Sequence, residues 1–190
     1  MSVMTAADFW SDQSRALTVE DMENQPDDEF RYELDDGVLI VSPAPSPLHQ
    51  RAVTRLAIIL DAACPPEFEV LAGVGVNINR YQHRVPDVAV VRTDSMDTFF
   101  MEMPPGLAVE VASPRTRLYD RNRKKQVYEQ FGILSYWIVE PDRDKPDLTV
   151  FELQDGRYQQ VAQVAGDETV EAALPFPVTV TPSALVRTAR

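Results

Sequence analysis

Residues 107–141, LAVEVASPRTRLYDRNRKKQVYEQFGILSYWIVEP, decide the fold. Two near-continuous apolar runs, LAVEV at 107–111 and YWIV at 136–139, flank a charged stretch. Runs of that kind mark central strands covered on both faces. The charged stretch has helical spacing over 120–131, and Gly132 is placed to end it. At 100° per residue, Tyr128, Phe131, Asp120 and Val127 all fall within about 60° of Lys124. Arg123, Gln126, Gln130, Asn122 and Glu129 take the opposite side. A lysine on the core-facing stripe either snorkels to water or meets buried carboxylates, since a buried charge must be paired.

Working outward, the same logic repeats. VAVV at 88–91 is another covered strand, entered through Pro86-Asp87. Two shorter strands are expected at 67–72 and 74–78, followed by a polar turn NRYQHR in which His83 is solvated. Ser46 caps a helix with Pro47 at its first position, and Pro65-Pro66 stops it after about Ala63. Its inward stripe holds His49, Val53, Leu56 and Leu60. Asp36-Gly37 and Asp155-Gly156 are turn signals for hairpins near either end of the chain. A short helix begins at Thr18, with Asp21 at its third helical position. Residues 1–17 read as a flexible segment ahead of one domain over 18–186. The fold class is α/β, in the mixed α+β sense: a sheet flanked by helices, with added β-hairpins. No GxGxxG or GxxxxGK[ST] loop is present, so a glycine cradle for phosphate is unsupported.

Two acids accompany the inward lysine. Glu110 stands inside an apolar strand, and Asp87 opens another. Taken alone, Glu110 reads as half of an ion pair with Arg115 or Arg117, and Asp87 as a turn residue. Two acids on adjacent strands under a helix-borne lysine are also what phosphodiester hydrolysis requires. Mg²⁺ takes oxygen ligands, commonly one or two carboxylates plus water and phosphate. It polarises the phosphate and acidifies a bound water, while an ammonium steadies the developing charge. Glycoside chemistry by two carboxylates gives Lys124 no role.

Composition restricts the rest. The 190 residues are 44% apolar and 25% charged, ordinary for one globular domain. The single cysteine, Cys64, excludes an intramolecular disulfide framework and a cysteine-built zinc site. No window approaches the ~20 apolar residues of a membrane span, so a cytoplasmic location is expected. A net charge of −12 argues against tight nonspecific binding of nucleic acid. Local concentration counters this, because RTRLYDRNRKK at 115–125 holds six of the eighteen basic residues.

The chain resembles the Uma-two-like family of restriction-endonuclease type, in the PD-(D/E)xK nuclease superfamily. The likeness rests on TVEDMENQPDDEFRYELDDGVLIVSPAPSPLHQ, VPDVAVV, the 107–141 stretch and VFELQDGRYQQV. It implies a mixed sheet flanked by helices and a metal-dependent nuclease centre. The family's proline-aspartate pair falls on Pro86-Asp87, its strand glutamate on Glu110 and its lysine on Lys124, with Asp120 one turn earlier. The superfamily's usual lysine position, two residues after the acid, is Ala112 here. The resemblance therefore implies catalysis by Asp87, Glu110 and Lys124, with Asp87 and Glu110 holding Mg²⁺ (or Mn²⁺). Glu33, His49, Gln50 and Asp120 are supporting candidates; Glu33 reads equally as a polar hairpin residue, and His49 as a hydrogen-bonded core histidine. DNA is the expected substrate and a homodimer the expected assembly. The alternative is a catalytically silent binding or regulatory module on the same fold.

Overall fold

The computed structural model describes residues 15–23, 30–96, 100–113 and 116–188. Strand β7 (Leu107–Val111) and strand β8 (Ser135–Glu140) are neighbours and parallel, joined by a helical crossover. They lie inside a six-stranded sheet. Strands β3 (Phe68–Ala72) and β6 (Val88–Arg92) are on one side, and the long hairpin β9 (Asp147–Gln154) and β10 (Arg157–Ala165) is on the other. The order is β10-β9-β8-β7-β6-β3, and every pair except β7/β8 is antiparallel.

Alternation along β7 divides the molecule. Leu107, Val109 and Val111 join Val88, Val90, Trp137 and Val139 on one face. Helix α2 (Pro47–Ala63) covers that face with Ala52, Val53, Leu56 and Leu60. Strands β11 (Val170–Ala172) and β12 (Val178–Val180) and helix α4 (Pro182–Val186) complete the cover. Leu56 and Leu60 are fully buried, so truncating either to Ala removes about 2–5 kcal/mol. Ala108 and Ala112 point the other way, into a second core with Tyr128, Ile133, Tyr136, Ile138 and Phe151. Period two puts Glu110 on this second face.

The crossover, α3, has three parts: Arg117–Tyr119, a π-helical turn Asp120–Lys124, and Lys125–Phe131. It thus starts three residues before the expected Asp120, and Gly132 ends it with a φ of 90°. The wide turn, an arrangement frequent at functional sites, buries both Asp120 and Lys124.

A second sheet was not foreseen as separate. Strands β1 (Arg31–Asp35), β2 (Val38–Ser42), β4 (Val76–Asn79) and β5 (Gln82–Arg84) form it, in the order β2-β1-β5-β4. The expected polar turn at 79–84 is therefore partly strand. His83, expected in solvent, is buried, with Nδ1 2.7 Å from Asn77 Oδ1. Neighbouring Arg84 is fully buried on Asp35. These polar residues are buried by pairing, which apolar periodicity does not register.

Both hairpin turns have positive φ at each central residue: 50° and 78° at Asp36-Gly37, 51° and 74° at Asp155-Gly156. That geometry matches strand twist and favours Asp-Gly. A Cβ on Gly37 would also stand 2.7 Å from the Ala16 Cβ. Gly37→Ala is expected to cost about 2 kcal/mol. Urea unfolding would show it as a lower midpoint with an unchanged slope.

At the amino-terminal side, helix α1 (Val19–Met22) begins with Asp21 accepting the Thr18 N–H at 2.8 Å. Residues 1–14 of the expected flexible segment lie outside the described residues. Leu17, assigned to that segment, is instead buried and donates its N–H to Gly37 O at 2.9 Å. Among the described residues no helix is long and apolar enough to cross a membrane.

Candidate active site

β1 puts Tyr32 and Leu34 in a small core with Leu17 and Met22, so Arg31, Glu33 and Asp35 share its other face. Asp87 sits just before β6 and Glu110 within β7. The two are linked: Val111 N–H donates to Asp87 Oδ2 at 2.7 Å, and Asp87 N–H to Val109 O at 3.0 Å. Asp120 and Lys124 come down from the π-helical turn of α3.

Lys124 does not snorkel to solvent. Its Nζ lies 3.0 Å from Glu110 Oε2, 3.1 Å from Glu33 Oε1 and 4.0 Å from Asp120 Oδ1, and all four groups are buried. Glu33 Oε1 also accepts the Val85 N–H at 2.8 Å. Glu110 Oε1 accepts the Tyr128 hydroxyl at 2.7 Å. The ion pair considered for Glu110 with Arg117 does not form. Arg117 pairs with Glu140 at 2.9 Å, and Arg115 lies outside the described residues.

These groups border a cavity of about 520 Å³ lined by Arg31, Glu33, Asp87, Glu110, Asp120 and Lys124, among others. His49, from α2, is also at its wall and places Nε2 3.2 Å from Asp87 Oδ2. Among the described residues its buried Nδ1 has no hydrogen-bond partner. Gln50 faces an adjoining cavity of about 230 Å³, which shares Arg31, His49 and Asp87.

Ionisation follows the spacing. Burial opposes the charge of Lys124, but Glu110, Glu33 and Asp120 hold it firmly protonated. Burial likewise opposes ionisation of Asp87, yet His49, Arg31 and Lys124 keep its carboxyl well below the usual range. Glu33 is lowered too, since Lys124 and Arg31 outweigh its burial. Glu110 goes the other way. Burial pushes it up to about 8; Lys124 opposes this, while Asp87, Asp120 and Glu33 add to it.

Residues 19–185 match the family described as "Uma2: Putative restriction endonuclease". The chain belongs to the Uma2 family. A crystal structure from Anabaena variabilis ATCC 29413, described as a "putative nuclease belonging to DUF820", aligns with a TM-score of 0.70. Identity is 16%, covering 90% of this chain and 97% of that one, so this likeness concerns the fold. No curated protein matches the chain.

The Uma2 site fits a hard divalent cation on charge and donor type. The lining holds four carboxyl groups and two cations, a formal excess of two negative charges once Glu110, pushed up to about 8, is ionised. All the acidic donors are oxygen, as Mg²⁺ prefers. Among the described residues no three His, Cys, Asp or Glu side chains are grouped so that together they could hold a metal ion. The donors suit an ion held by two carboxylates with water completing its shell.

The sequence reading missed Arg31, whose NH1 donates to Asp87 Oδ1 at 2.6 Å. The signal was present: RYELD alternates charged and apolar residues, which aligns Arg31 with Glu33 on one strand face. It also missed Asp35, which ties α3 to the smaller sheet through Arg123 and Tyr119.

Proposed function

We propose that this protein is a metal-dependent endonuclease that hydrolyses phosphodiester bonds in DNA. The observation that carries the reading is the arrival of Asp87, Glu110 and Lys124, from two adjacent strands and their crossover helix, at one cavity. Asp87 and Glu110 would hold Mg²⁺, or Mn²⁺. The ion, when bound, supplies Lewis-acid polarisation of the phosphate and acidifies a water.

The side chains do the rest. Lys124 is held protonated, so it serves as a donor that orients the attacking water and steadies the developing oxyanion. A base role would need a free amine, which Glu110, Glu33 and Asp120 oppose. Glu33 and Tyr128 fix the ammonium and the Glu110 carboxylate between them. His49 orients Asp87 through Nε2, 3.2 Å from Oδ2. The overall negative charge of −12 works against nonspecific association, and would make binding weak and salt-sensitive.

The test pairs metal binding with cleavage. Duplex DNA should be cut in Mg²⁺ or Mn²⁺ and left whole in EDTA. Asp87→Asn should bind Mn²⁺ about ten- to a hundredfold more weakly by calorimetry. Folded wild-type protein that binds neither ion, or that leaves duplex, single-stranded and RNA substrates intact with metal bound, would leave the silent binding module as the better account.

A further inference from the structure

The two cations at the cavity are placed differently. Lys124 is 4% exposed and committed to two glutamates, whereas Arg31 is 32% exposed beside an Asp87 that is only 4% exposed. Arg31 therefore stands at the mouth, between buried acids and solvent. A guanidinium carries five N–H donors in a planar fork. Among the described residues its side chain makes a single hydrogen bond, from NH1 to Asp87 Oδ1. Arg31 also borders the adjoining cavity with His49 and Gln50. Burial opposes its charge, but Asp87, Glu110 and Glu33 more than compensate.

We infer that Arg31 is the residue that grips a backbone phosphate of the nucleic acid, with Asp87 serving as the tether that aims it. This rests on the nuclease reading and deepens it by naming the first contact with substrate. A polyanion cannot enter a cavity of about 520 Å³ whole, so its phosphates meet whatever cation stands at the opening. With one edge of the fork fixed on Asp87, the remaining donors are preorganised for two phosphate oxygens, which a lysine cannot match. The same bond holds a positive charge beside the acids, and so lowers the repulsion an incoming phosphate would meet.

The experiment is anisotropy of a short labelled DNA duplex in Ca²⁺, across a range of salt, for wild type, Arg31→Gln and Arg31→Lys. Arg31→Gln is expected to weaken binding by about ten- to a hundredfold and to reduce the salt slope by about one unit. Arg31→Lys keeps the charge but loses the fork, so it should restore the slope and recover only part of the affinity. A residue acting only as a structural partner of Asp87 would lower the melting temperature and leave the salt slope unchanged; that result overturns the inference while the nuclease reading stands. Should Arg31→Gln not fold, Arg31→Lys decides, since full wild-type affinity there would exclude the fork. Inorganic phosphate should displace the duplex no better than chloride at equal ionic strength. Selective displacement would assign Arg31 to a free phosphate instead. Wild-type protein that binds no duplex at low salt overturns this inference, and cleavage assays in Mg²⁺ decide the nuclease reading separately.

Discussion

Lys124→Met is expected to lower the rate of DNA cleavage by about a hundred- to a thousandfold, the loss found when one preorganised donor leaves a transition-state site. It should also cost about 3–5 kcal/mol of stability, because it leaves buried carboxylates without their cation. Nζ is within 3.1 Å of both Glu33 and Glu110, so one ammonium serves the two carboxyl groups together. The pH dependence separates this from a general packing defect. In the wild type Glu33 is held below its ordinary range. It then contributes stability that is present above the unfolded value of about 4.5 and lost as the pH falls through its lower folded value. Without the ammonium, Arg31, the Val85 N–H and Arg84 still act against the burial of Glu33, so its carboxyl is lowered less. Its contribution above the unfolded value then shrinks. The gap in unfolding free energy between wild type and Lys124→Met, measured by urea in EDTA, should therefore be small near pH 3 and widen toward pH 6. An equal gap at both values, or cleavage at the wild-type rate, would remove Lys124 from the centre of the site.

What could be read from the sequence was whatever shows as a local period. The apolar runs at 107–111 and 136–139 gave two covered central strands, and the helical spacing between them turned Lys124 inward; both features are present. The Asp-Gly turns gave both hairpins, since positive φ at two adjacent positions strongly favours that dipeptide. What could not be read was pairing over long separations. Arg31 meets Asp87 across 56 positions, and Arg84 meets Asp35 across 49. No local spacing announces such partners, so 79–84 looked like a solvated turn and the smaller sheet went unseen. The π-helical turn was also hidden. At 100° per residue Asp120 and Lys124 already share a face, so the expected side is right while the wider winding leaves no mark in the pattern.

Asp35→Ala, outside the proposed catalytic set, should be nearly as damaging as a change in the centre itself. Asp35 Oδ1 accepts Arg84 NH2 at 2.6 Å, Arg123 NH2 at 2.7 Å and Gln82 Nε2 at 3.1 Å, while Oδ2 accepts the Tyr119 hydroxyl at 3.0 Å. Two of these partners are on β5 and two on α3, so one carboxylate fastens the smaller sheet to the helix that carries Lys124. Among the described residues, removing it leaves the Arg84 guanidinium, 0% exposed, with hydrogen bonds to the carbonyls of Leu34 and His83 alone. Breaking a buried pair from one side costs about 3–5 kcal/mol; Asp35 keeps 19% exposure, which places the expected loss at the lower end, about 3 kcal/mol. Burial opposes ionisation of Asp35, but Arg123, Arg84 and Gln82 hold its carboxyl well below the usual range. Its contribution is therefore present above the unfolded value of about 3.9 and disappears as acid protonates it, so the deficit of the variant should shrink toward pH 2. Arg123→Ala provides the contrast. It removes one arm of the clamp at a side chain that is 30% exposed, and should cost no more than about 1 kcal/mol. If Asp35→Ala were as stable as Arg123→Ala and cut DNA at the wild-type rate, Arg84 would be accommodated without its carboxylate, and the position of Lys124 would depend on the π-helical turn alone.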